Sequence, residues 1–184
     1  MPANLPTQHC LSYSLINLVG SIKTDMDISI KDLNSLNQVA EFHTTFKHPV
    51  LTKPTIPAIE RCKLRIELLT EELKELQEAV DNNDIVEVAD ALCDLQYVLA
   101  GAVLEFGLAE KFKDLFDEVH RSNMSKACKS QEEADATVAH YKLNNNTDSY
   151  HQQVEDLFLV YRTPDNKTLK SVNYSPADLR SILG

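Results

Sequence analysis

Residues 71–94 read EELKELQEAVDNNDIVEVADALCD, and this stretch decides the fold that we expect. It contains the end of one helical pattern, a polar turn at 81–84 and the beginning of a second helical pattern. Asp84 suits the N-cap of the second helix, because its carboxylate can accept hydrogen bonds from the first free backbone N–H groups. The stretch therefore predicts two helices that run antiparallel about a turn near Asn82.

On both sides of this turn, apolar residues recur every three or four positions, as in amphipathic helices. We predict a helix over about 58–80 and a second over about 85–106, which ends at Gly107 as a left-handed cap. The second helix is apolar on nearly all sides, so it is expected at the centre of a bundle. Further helices are predicted from after Met26 to about Phe46, over about 109–121 and over about 131–142, with the prolines at 49, 54 and 57 marking a loop.

The pattern changes after Asn144. Residues 157–161 read LFLVY and predict a strand, which a turn at 164–166 connects to a second short strand at 168–172. Ser175-Pro176 is typical of a helix start and leads to a short last helix.

Together, these patterns predict a mainly α protein, a helical bundle with a small C-terminal β-hairpin. We divide the chain into an N-terminal extension at 1–26, a helical domain at 27–145, and a hairpin with a short helix at 146–184 that packs on the same domain.

Composition excludes several classes of protein. The chain has 184 residues, with 28 acidic and 18 basic side chains and a net charge of −10. Such a charge repels nucleic acid, and no apolar run approaches the roughly 20 residues that a bilayer requires. No Lys or Arg precedes Lys23, so a secretory signal is not expected, and the four scattered cysteines are typical of reduced thiols. We therefore expect a cytoplasmic protein that binds neither nucleic acid nor membrane.

The chain contains four glycines, and they are too dispersed to form a glycine-rich phosphate loop. Any phosphate group bound here must therefore be held by metal ions or by side chains.

Two groups of carboxylates flank the turn. On the first helix, Glu71, Glu72 and Glu75 share one patch, and on the second helix Glu87, Asp90 and Asp94 form a stripe at spacings of three and four. The antiparallel arrangement would place the two groups opposite each other, with Glu75 and Glu87 at a similar height. The first group alone could be an ordinary solvated face. The second group lies among apolar residues, where we expect the carboxylates to be buried at a cost.

Few basic residues are near enough in the sequence to neutralise these carboxylates, since Lys74 is the only one between Arg65 and Lys111. Such a cluster must take up protons or bind cations. All-oxygen ligands favour Mg²⁺, or Mn²⁺, over zinc, and these ions commonly bridge a polyphosphate. A di-iron bundle is a competing interpretation, but no Glu here is followed by His three residues later.

The pattern Glu71-Glu72-x-x-Glu75 followed by Glu87-x-x-Asp90 resembles the EExxE…ExxD signature of the all-α nucleoside triphosphate pyrophosphohydrolases. This superfamily includes MazG, phosphoribosyl-ATP pyrophosphohydrolase and the dimeric dUTPases. The segments 90–98, 118–126, 42–46 and 173–179 are also similar to MazG-like members of the phosphoribosyl-ATP pyrophosphohydrolase-like subgroup. The resemblance extends over about 27–183, and residues 1–26 have no counterpart in it.

The resemblance implies Mg²⁺-dependent cleavage of a nucleotide between its α and β phosphates, with release of pyrophosphate. It implies a metal site formed by Glu71, Glu72, Glu75, Glu87 and Asp90, and by analogy Glu72 is the candidate general base. Substrates similar to dUTP, general nucleoside triphosphates and phosphoribosyl-ATP all remain open.

Other side chains are candidates for binding the substrate. Arg121, Asn123 and Lys126 follow the acidic region and could contact phosphate oxygens, although cations there also suit the C-terminal end of a helix. The resemblance favours Asn123 and Lys126 more than Arg121. Tyr97 could stack on a base or ribose or could be a core tyrosine, and Asp94 could bind sugar or a further ion.

The apolar helical hairpin has more hydrophobic surface than its flanking helices can cover, so we expect a homodimer or homotetramer. The alternative to an enzyme is a non-catalytic helical module that binds nucleotide or regulates an assembly.

Overall fold

The computed structural model describes Lys31 and residues 33–184, and these residues are mainly helical. The prediction of a helical bundle with a small C-terminal hairpin is confirmed. The predicted extension at 1–26 and the start of the first predicted helix lie outside the described residues. The elements are α1 (Ser35–Phe46), α2 (Ile59–Asp81), α3 (Ile85–Glu105), α4 (Phe112–Met124), α5 (Gln131–Asn145), β1 (Ser149–Val154), β2 (Leu157–Arg162) and α6 (Leu179–Leu183).

Helix α3 packs against both α1 and α2. Val39 of α1 lies against Ala100 and Leu104 of α3, and all three are almost fully buried. Small residues on α3 allow this close packing. However, the expectation that α3 lies at the centre of a bundle holds for one side only, because Ile85 and Leu92 remain exposed.

The end of α3 depends on Gly107, which confirms the predicted left-handed cap with a φ of 65°. A Cβ at this position would lie 2.0 Å from the carbonyl oxygen of Lys53, so no other residue fits. The loop between α1 and α2 runs along this end, where Leu51 N donates to Leu104 O at 3.0 Å and Thr55 N to Phe106 O at 3.0 Å. The bond from Thr55 satisfies a carbonyl at the helix end, and the bond from Leu51 gives Leu104 O a second donor beside Gly107 N.

A buried network of charged side chains joins α1, α2 and α3. Glu105, which is 1% exposed, accepts hydrogen bonds from Arg61 and Arg65, with Arg61 Nε 2.9 Å from Glu105 Oε2. Arg65 Nη2 also donates to His43 Nε2 at 3.1 Å, and His43 Nδ1 donates to Pro49 O at 2.8 Å. Gly101 gives the network its space, since a Cβ there would lie 2.6 Å from Arg65 Nη1.

This network predicts a pH-dependent stability. Burial lowers the pKa of His43 below its usual 6.5; the hydrogen bond to Pro49 opposes this shift and the charge of Arg65 reinforces it. The unfolded chain therefore takes up a proton near pH 6.5 while folded His43 stays neutral. Stability should be complete above pH 6.5 and should decrease as the pH falls below it.

Urea unfolding at about pH 7.5 and about pH 5.5 measures this effect. The variant His43→Gln should be less stable at both values but should lose less stability between them, whereas His140→Gln, on the exposed side of α5, should behave like the parent. If the His43→Gln variant loses as much stability between the two pH values as the parent does, other groups cause the pH dependence.

The C-terminal half has a second small core, in which Cys128, Ala134, Val160 and Leu169 are buried. The strand predicted at 157–161 is confirmed as β2, but the prediction that residues 168–172 form its partner strand is wrong. The antiparallel partner is β1, with Val154 opposite Leu157, and only a single bridge joins Tyr161 to Thr168. The sequence SYHQQV is mostly polar, and its positions in β1 are either half-buried or exposed. Its tight turn also places Glu155 at a φ of 53° without Gly or Asn to signal it.

Helix α4 is covered by the chain's last residues rather than by the α2–α3 hairpin. Residues 173–183, here called the C-terminal segment, run antiparallel along it. Asp178 N donates to Glu118 Oε1 at 2.8 Å, and Lys111 Nζ donates to Leu183 O at 3.0 Å. Within the described range, α4 packs against α6 but makes no extensive contact with α2 or α3.

In residues 31 and 33–184, no helix has the length and apolar character needed to cross a bilayer. Cys62, Cys93 and Cys128 are free thiols, as the sequence predicts.

Candidate active site

The turn between α2 and α3 aligns the two acidic groups. Asn83 adopts a φ of 54°, and Asp84 caps α3 by accepting hydrogen bonds from Val86 N at 3.0 Å and Glu87 N at 3.3 Å. The predicted N-cap is therefore confirmed. The helices pack side by side along their length, which is the antiparallel pair that residues 71–94 predicted.

An acidic cleft of about 320 Å³ lies beside this turn, between the two helices. Glu75 of α2 and Glu87 of α3 both line it, as expected from their distances to the turn. Its lining residues are Glu75, Glu78, Ala79, Asn82, Asp84, Glu87, Asp90 and Ala91. Lys74, the nearest cation in the sequence, forms an exposed ion pair with Glu78 at 3.4 Å and leaves the other carboxylates of the cleft without a positive partner from this helix.

Glu72 lies one turn of α2 before this cleft and has an unusual environment. Its Oε2 is buried and has no hydrogen-bond donor. Burial raises the pKa of Glu72, and the negative charges of its neighbours raise it further; these neighbours are, in order of effect, Glu75, Asp94, Glu71 and Asp90. The negative charges of four carboxylates therefore act on one partly desolvated carboxyl group, which is suited to bind a cation or a proton.

The carboxylates of α3 are less buried than the sequence suggested. Glu87, Asp90 and Asp94 were expected among apolar residues in the interior, but all three are exposed. Apolar residues occupy two sides of α3, and only one of these sides packs against the rest of the protein. The other apolar side is open to solvent, as the acidic stripe is. The acidic stripe is therefore a surface of the hairpin and is accessible to a ligand.

The five predicted metal ligands fall into two overlapping sets. Glu71, Glu75 and Asp90 lie around Glu72, whereas Glu87 lines the cleft nearer the turn. Within Lys31 and residues 33–184, no three His, Cys, Asp or Glu side chains are already gathered closely enough to hold a metal ion together. The donor set is all oxygen and includes the unpartnered Oε2 of Glu72, so its chemistry fits Mg²⁺ or Mn²⁺.

A second cavity, of about 230 Å³, lies farther along the hairpin, between α1, α2 and α3. Tyr97 is 39% exposed, lines this cavity and packs edge-on against Phe42, with ring centroids 5.6 Å apart. The walls are largely aromatic and aliphatic, and are formed by Val39, Phe42, His43, His48, Arg61, Leu64, Arg65, Leu68, Tyr97 and Val98. Tyr97 is thus a wall of a cavity and not a fully buried core residue.

This aromatic cavity adjoins the acidic group. Leu68 is one helical turn before Glu72, and Tyr97 is three residues after Asp94, so roughly 6 Å along the helix axis separates the two regions. No sequence pattern predicted the aromatic cavity as a whole. The segment Phe42-His43-x-x-Phe46 was a signal for it, but the contributions of His48 and Arg65 come from other elements and had no local pattern.

The remaining predicted substrate residues lie on α4 and the turn after it. Arg121 is bound to the protein itself: Nε and Nη2 donate to Glu118 at 2.7 and 2.8 Å, and Nη1 donates to Ser175 Oγ at 3.1 Å. Asn123 is exposed, and its Oδ1 accepts a hydrogen bond from Lys126 Nζ at 2.8 Å. Because α4 does not pack on the hairpin, these side chains are not brought together with the carboxylates within one chain.

Comparison with known proteins agrees with the acidic motifs. The family model described as phosphoribosyl-ATP pyrophosphohydrolase matches residues 39–123, a range that includes all five predicted metal ligands. The chain is also similar to a protein of Acanthamoeba polyphaga mimivirus named Uncharacterized protein L479. The two are 25% identical over an alignment of 250 positions, which covers 87% of this chain and 99% of that protein. Residues 39–123 are therefore similar to the phosphoribosyl-ATP pyrophosphohydrolase family, in agreement with the resemblance that the EExxE…ExxD pattern on the helical hairpin predicted.

Proposed function

We propose that the protein is a Mg²⁺-dependent nucleotide pyrophosphohydrolase, which cleaves a nucleoside triphosphate or a related nucleotide between its α and β phosphates. The products are a monophosphate and pyrophosphate. The observation that carries this proposal is the environment of Glu72, whose buried oxygen has no donor and whose pKa is raised by burial and by the charges of four nearby carboxylates. The family of residues 39–123 supports a pyrophosphohydrolase.

The ligands of the metal would be Glu71, Glu72, Glu75, Glu87 and Asp90. Bound Mg²⁺ or Mn²⁺ supplies positive charge that offsets the phosphates and favours ionisation of a coordinated water. The side chains lie on two helices that are fixed by the capped turn at Asp84, so small rotamer changes can bring them together. The exposure of Glu87 and Asp90 leaves room for a polyphosphate.

Glu72 is the proposed general base. A base must have an oxygen free to accept a proton, and Oε2 of Glu72 has no hydrogen bond that would compete. The raised pKa of Glu72 also makes it a better proton acceptor than an ordinary surface carboxylate. In this role it removes the proton of the attacking water while the bond to pyrophosphate breaks.

The aromatic cavity is the proposed site of the nucleoside. Tyr97 and Phe42 present ring surfaces on which a base can stack. Asp94, one helical turn before Tyr97 and near enough for its charge to raise the pKa of Glu72, is proposed to bind a sugar hydroxyl. The phosphates would then extend towards the acidic cleft. Because α4 does not pack on the hairpin of its own chain, Asn123 and Lys126 of a second copy are proposed to contact the phosphate oxygens.

A second copy of the chain is the proposed partner, in a homodimer or homotetramer. One face of the hairpin carries exposed apolar residues at intervals of seven: Ile59, Ile66, Leu73 and Val80 on α2, and Ile85, Leu92 and Leu99 on α3. Seven residues make two helical turns, so each set forms a straight stripe. At roughly 100 Å² each, the seven side chains expose about 700 Å², close to what each partner contributes to a stable interface. A pair of hairpins joined along these stripes would form a four-helix bundle.

The proposed activity is tested by incubating the protein with canonical and modified nucleoside triphosphates and with phosphoribosyl-ATP, in the presence of Mg²⁺ or Mn²⁺, and measuring pyrophosphate. Release of pyrophosphate with a stoichiometric monophosphate supports the proposal. Nucleotide binding without pyrophosphate in any reaction would instead identify a non-catalytic nucleotide-binding module.

We propose a cytoplasmic location, where nucleotides and reduced thiols occur together.

Metal binding should raise the melting temperature, because a divalent cation relieves repulsion among carboxylates that folding brings together. At a concentration about 100-fold above its Kd, the ion would stabilise the folded state by about 2.7 kcal/mol, which corresponds to roughly 5–10 °C for a chain of this size. Differential scanning calorimetry with and without Mg²⁺ measures the shift. NaCl at equal ionic strength is the control, and an equal shift with NaCl would contradict a specific metal site.

A further inference from the structure

A cluster of positive charge lies at the C-terminal end of α4, and two of its three cations, Lys126 and Lys170, are outside the residues that match the family model. Lys170 Nζ is 4.3 Å from the centre of the Tyr174 ring, and the Tyr174 hydroxyl is 2.9 Å from Ser122 Oγ on α4. Lys126 follows Ser122 by one turn. The cations of Lys170, Lys126 and Arg121 all lower the pKa of Tyr174, after the hydrogen bond to Ser122, so the three converge on this ring.

The turn that carries Lys170 and Tyr174 is held rigidly. Tyr174 N donates to Ser171 O at 2.9 Å, and Asn173 N donates to Ser171 Oγ at 2.9 Å. Lys170 N donates to the Tyr141 hydroxyl at 3.1 Å, which ties the turn to α5. The backbone is therefore fixed before any ligand binds, and only the exposed ends of the lysines need to be ordered.

Two of the three cations lack an acidic partner. Arg121 is paired with Glu118, and the other nearby carboxylate, Glu133, accepts hydrogen bonds from Ser171 Oγ and Lys129 N. In the described part of the chain, neither Lys126 nor Lys170 forms a salt bridge. In a chain of net charge −10, two unpaired lysines held beside one tyrosine form a local site for an anion.

We propose that Lys170 and the Tyr174 turn complete, with Lys126, a binding site for the polyphosphate group of a substrate that the acidic hairpin of a second copy of the chain holds. Lys170 and Lys126 donate to phosphate oxygens, and Tyr174 positions Lys170 through its ring and is itself fixed by Ser122. The identity of the anion rests on the proposed function, whereas the presence of an anion site does not. The C-terminal segment thereby adds a cation that lies beyond the family-matched residues 39–123.

Binding of inorganic tripolyphosphate without added metal, measured by isothermal titration calorimetry, tests the site. Lys170→Gln and Lys126→Gln should each raise Kd about ten-fold, as expected for loss of one charge-assisted hydrogen bond. Lys167→Gln is the matched control: it removes the same charge from an exposed lysine three residues before Lys170 and should change Kd by less than about two-fold. Melting curves check that each exposed substitution leaves the fold intact.

Binding by Lys170→Gln with the parent's Kd would overturn the proposal, and so would failure of the parent to bind tripolyphosphate at millimolar concentration. Repeating the titration with a nucleoside triphosphate and with pyrophosphate distinguishes a nucleotide from a free polyphosphate as the anion. If tripolyphosphate binding depends on Lys170 and no nucleotide is hydrolysed, this site stands and the proposed reaction fails. If nucleotides are hydrolysed and Lys170→Gln has the parent's KM, the reaction stands and this site fails.

Discussion

Glu72→Gln is expected to lower kcat by at least about 100-fold, because an amide cannot accept the proton of the attacking water. The substitution keeps the size of the side chain and its helical propensity, so it should not disturb α2. It also removes a negative charge from among Glu71, Glu75, Asp90 and Asp94, which lie around Glu72. The melting temperature without metal should therefore stay the same or rise.

Steady-state kinetics of pyrophosphate release and a melting curve of the same preparation measure the two effects. Glu67→Gln is the control, since it makes the same chemical change on an exposed part of α2. Asp90→Asn should lower metal affinity and turnover together, because a neutral amide is a weaker ligand for Mg²⁺. If the Glu72→Gln and Asp90→Asn variants both release pyrophosphate at the rate of the parent, the acidic group is not the catalytic site.

Ile66→Lys combined with Leu92→Lys is expected to convert the assembled protein into monomers. Both residues lie in the apolar stripes of the hairpin and are 65% and 52% exposed in the single chain. Full burial of such a side chain stabilises by about 1.5–3 kcal/mol, and association can bury only the exposed part of each, so loss of four in a symmetric dimer removes roughly 3.5–7 kcal/mol. Adding four like charges to the same surface weakens the association further.

Light scattering coupled to gel filtration at micromolar concentration measures the mass of each variant. Leu143→Lys is the matched control: Leu143 is 84% exposed, but it lies on α5, far in sequence from the stripes. This variant should assemble like the parent. A parent protein that is already monomeric would refute the four-helix bundle.

The sequence was sufficient for the elements that local rules control. The turn at 81–84, the cap at Asp84 and the end of α3 at Gly107 depend on residues a few positions apart, and the structure has all three. The facing of Glu75 and Glu87 followed from counting residues on either side of that turn. The acidic motif also pointed to the family whose model matches residues 39–123, because its spacing on two adjacent helices is a property of sequence alone.

Side-chain burial was harder to predict. Glu87, Asp90 and Asp94 have apolar neighbours in the sequence but are exposed, since those neighbours occupy other sides of α3. The pairing of β2 with β1 also escaped prediction, because the left-handed turn at Glu155 has neither glycine nor asparagine. The contact of the Arg121 guanidinium with the C-terminal segment also escaped prediction, because it joins residues more than 50 positions apart.

By itself, then, the sequence determined the helical hairpin, its acidic residues and the class of ligand that they suit, because helix periodicity, capping and carboxylate chemistry act over a few residues. Only the tertiary structure decided that Glu72 has the desolvated oxygen, that Tyr97 and Phe42 form one cavity, and that Lys170 and Lys126 converge on Tyr174. Each of these depends on contacts between distant parts of the chain, since desolvation and charge convergence are set by which surfaces pack together.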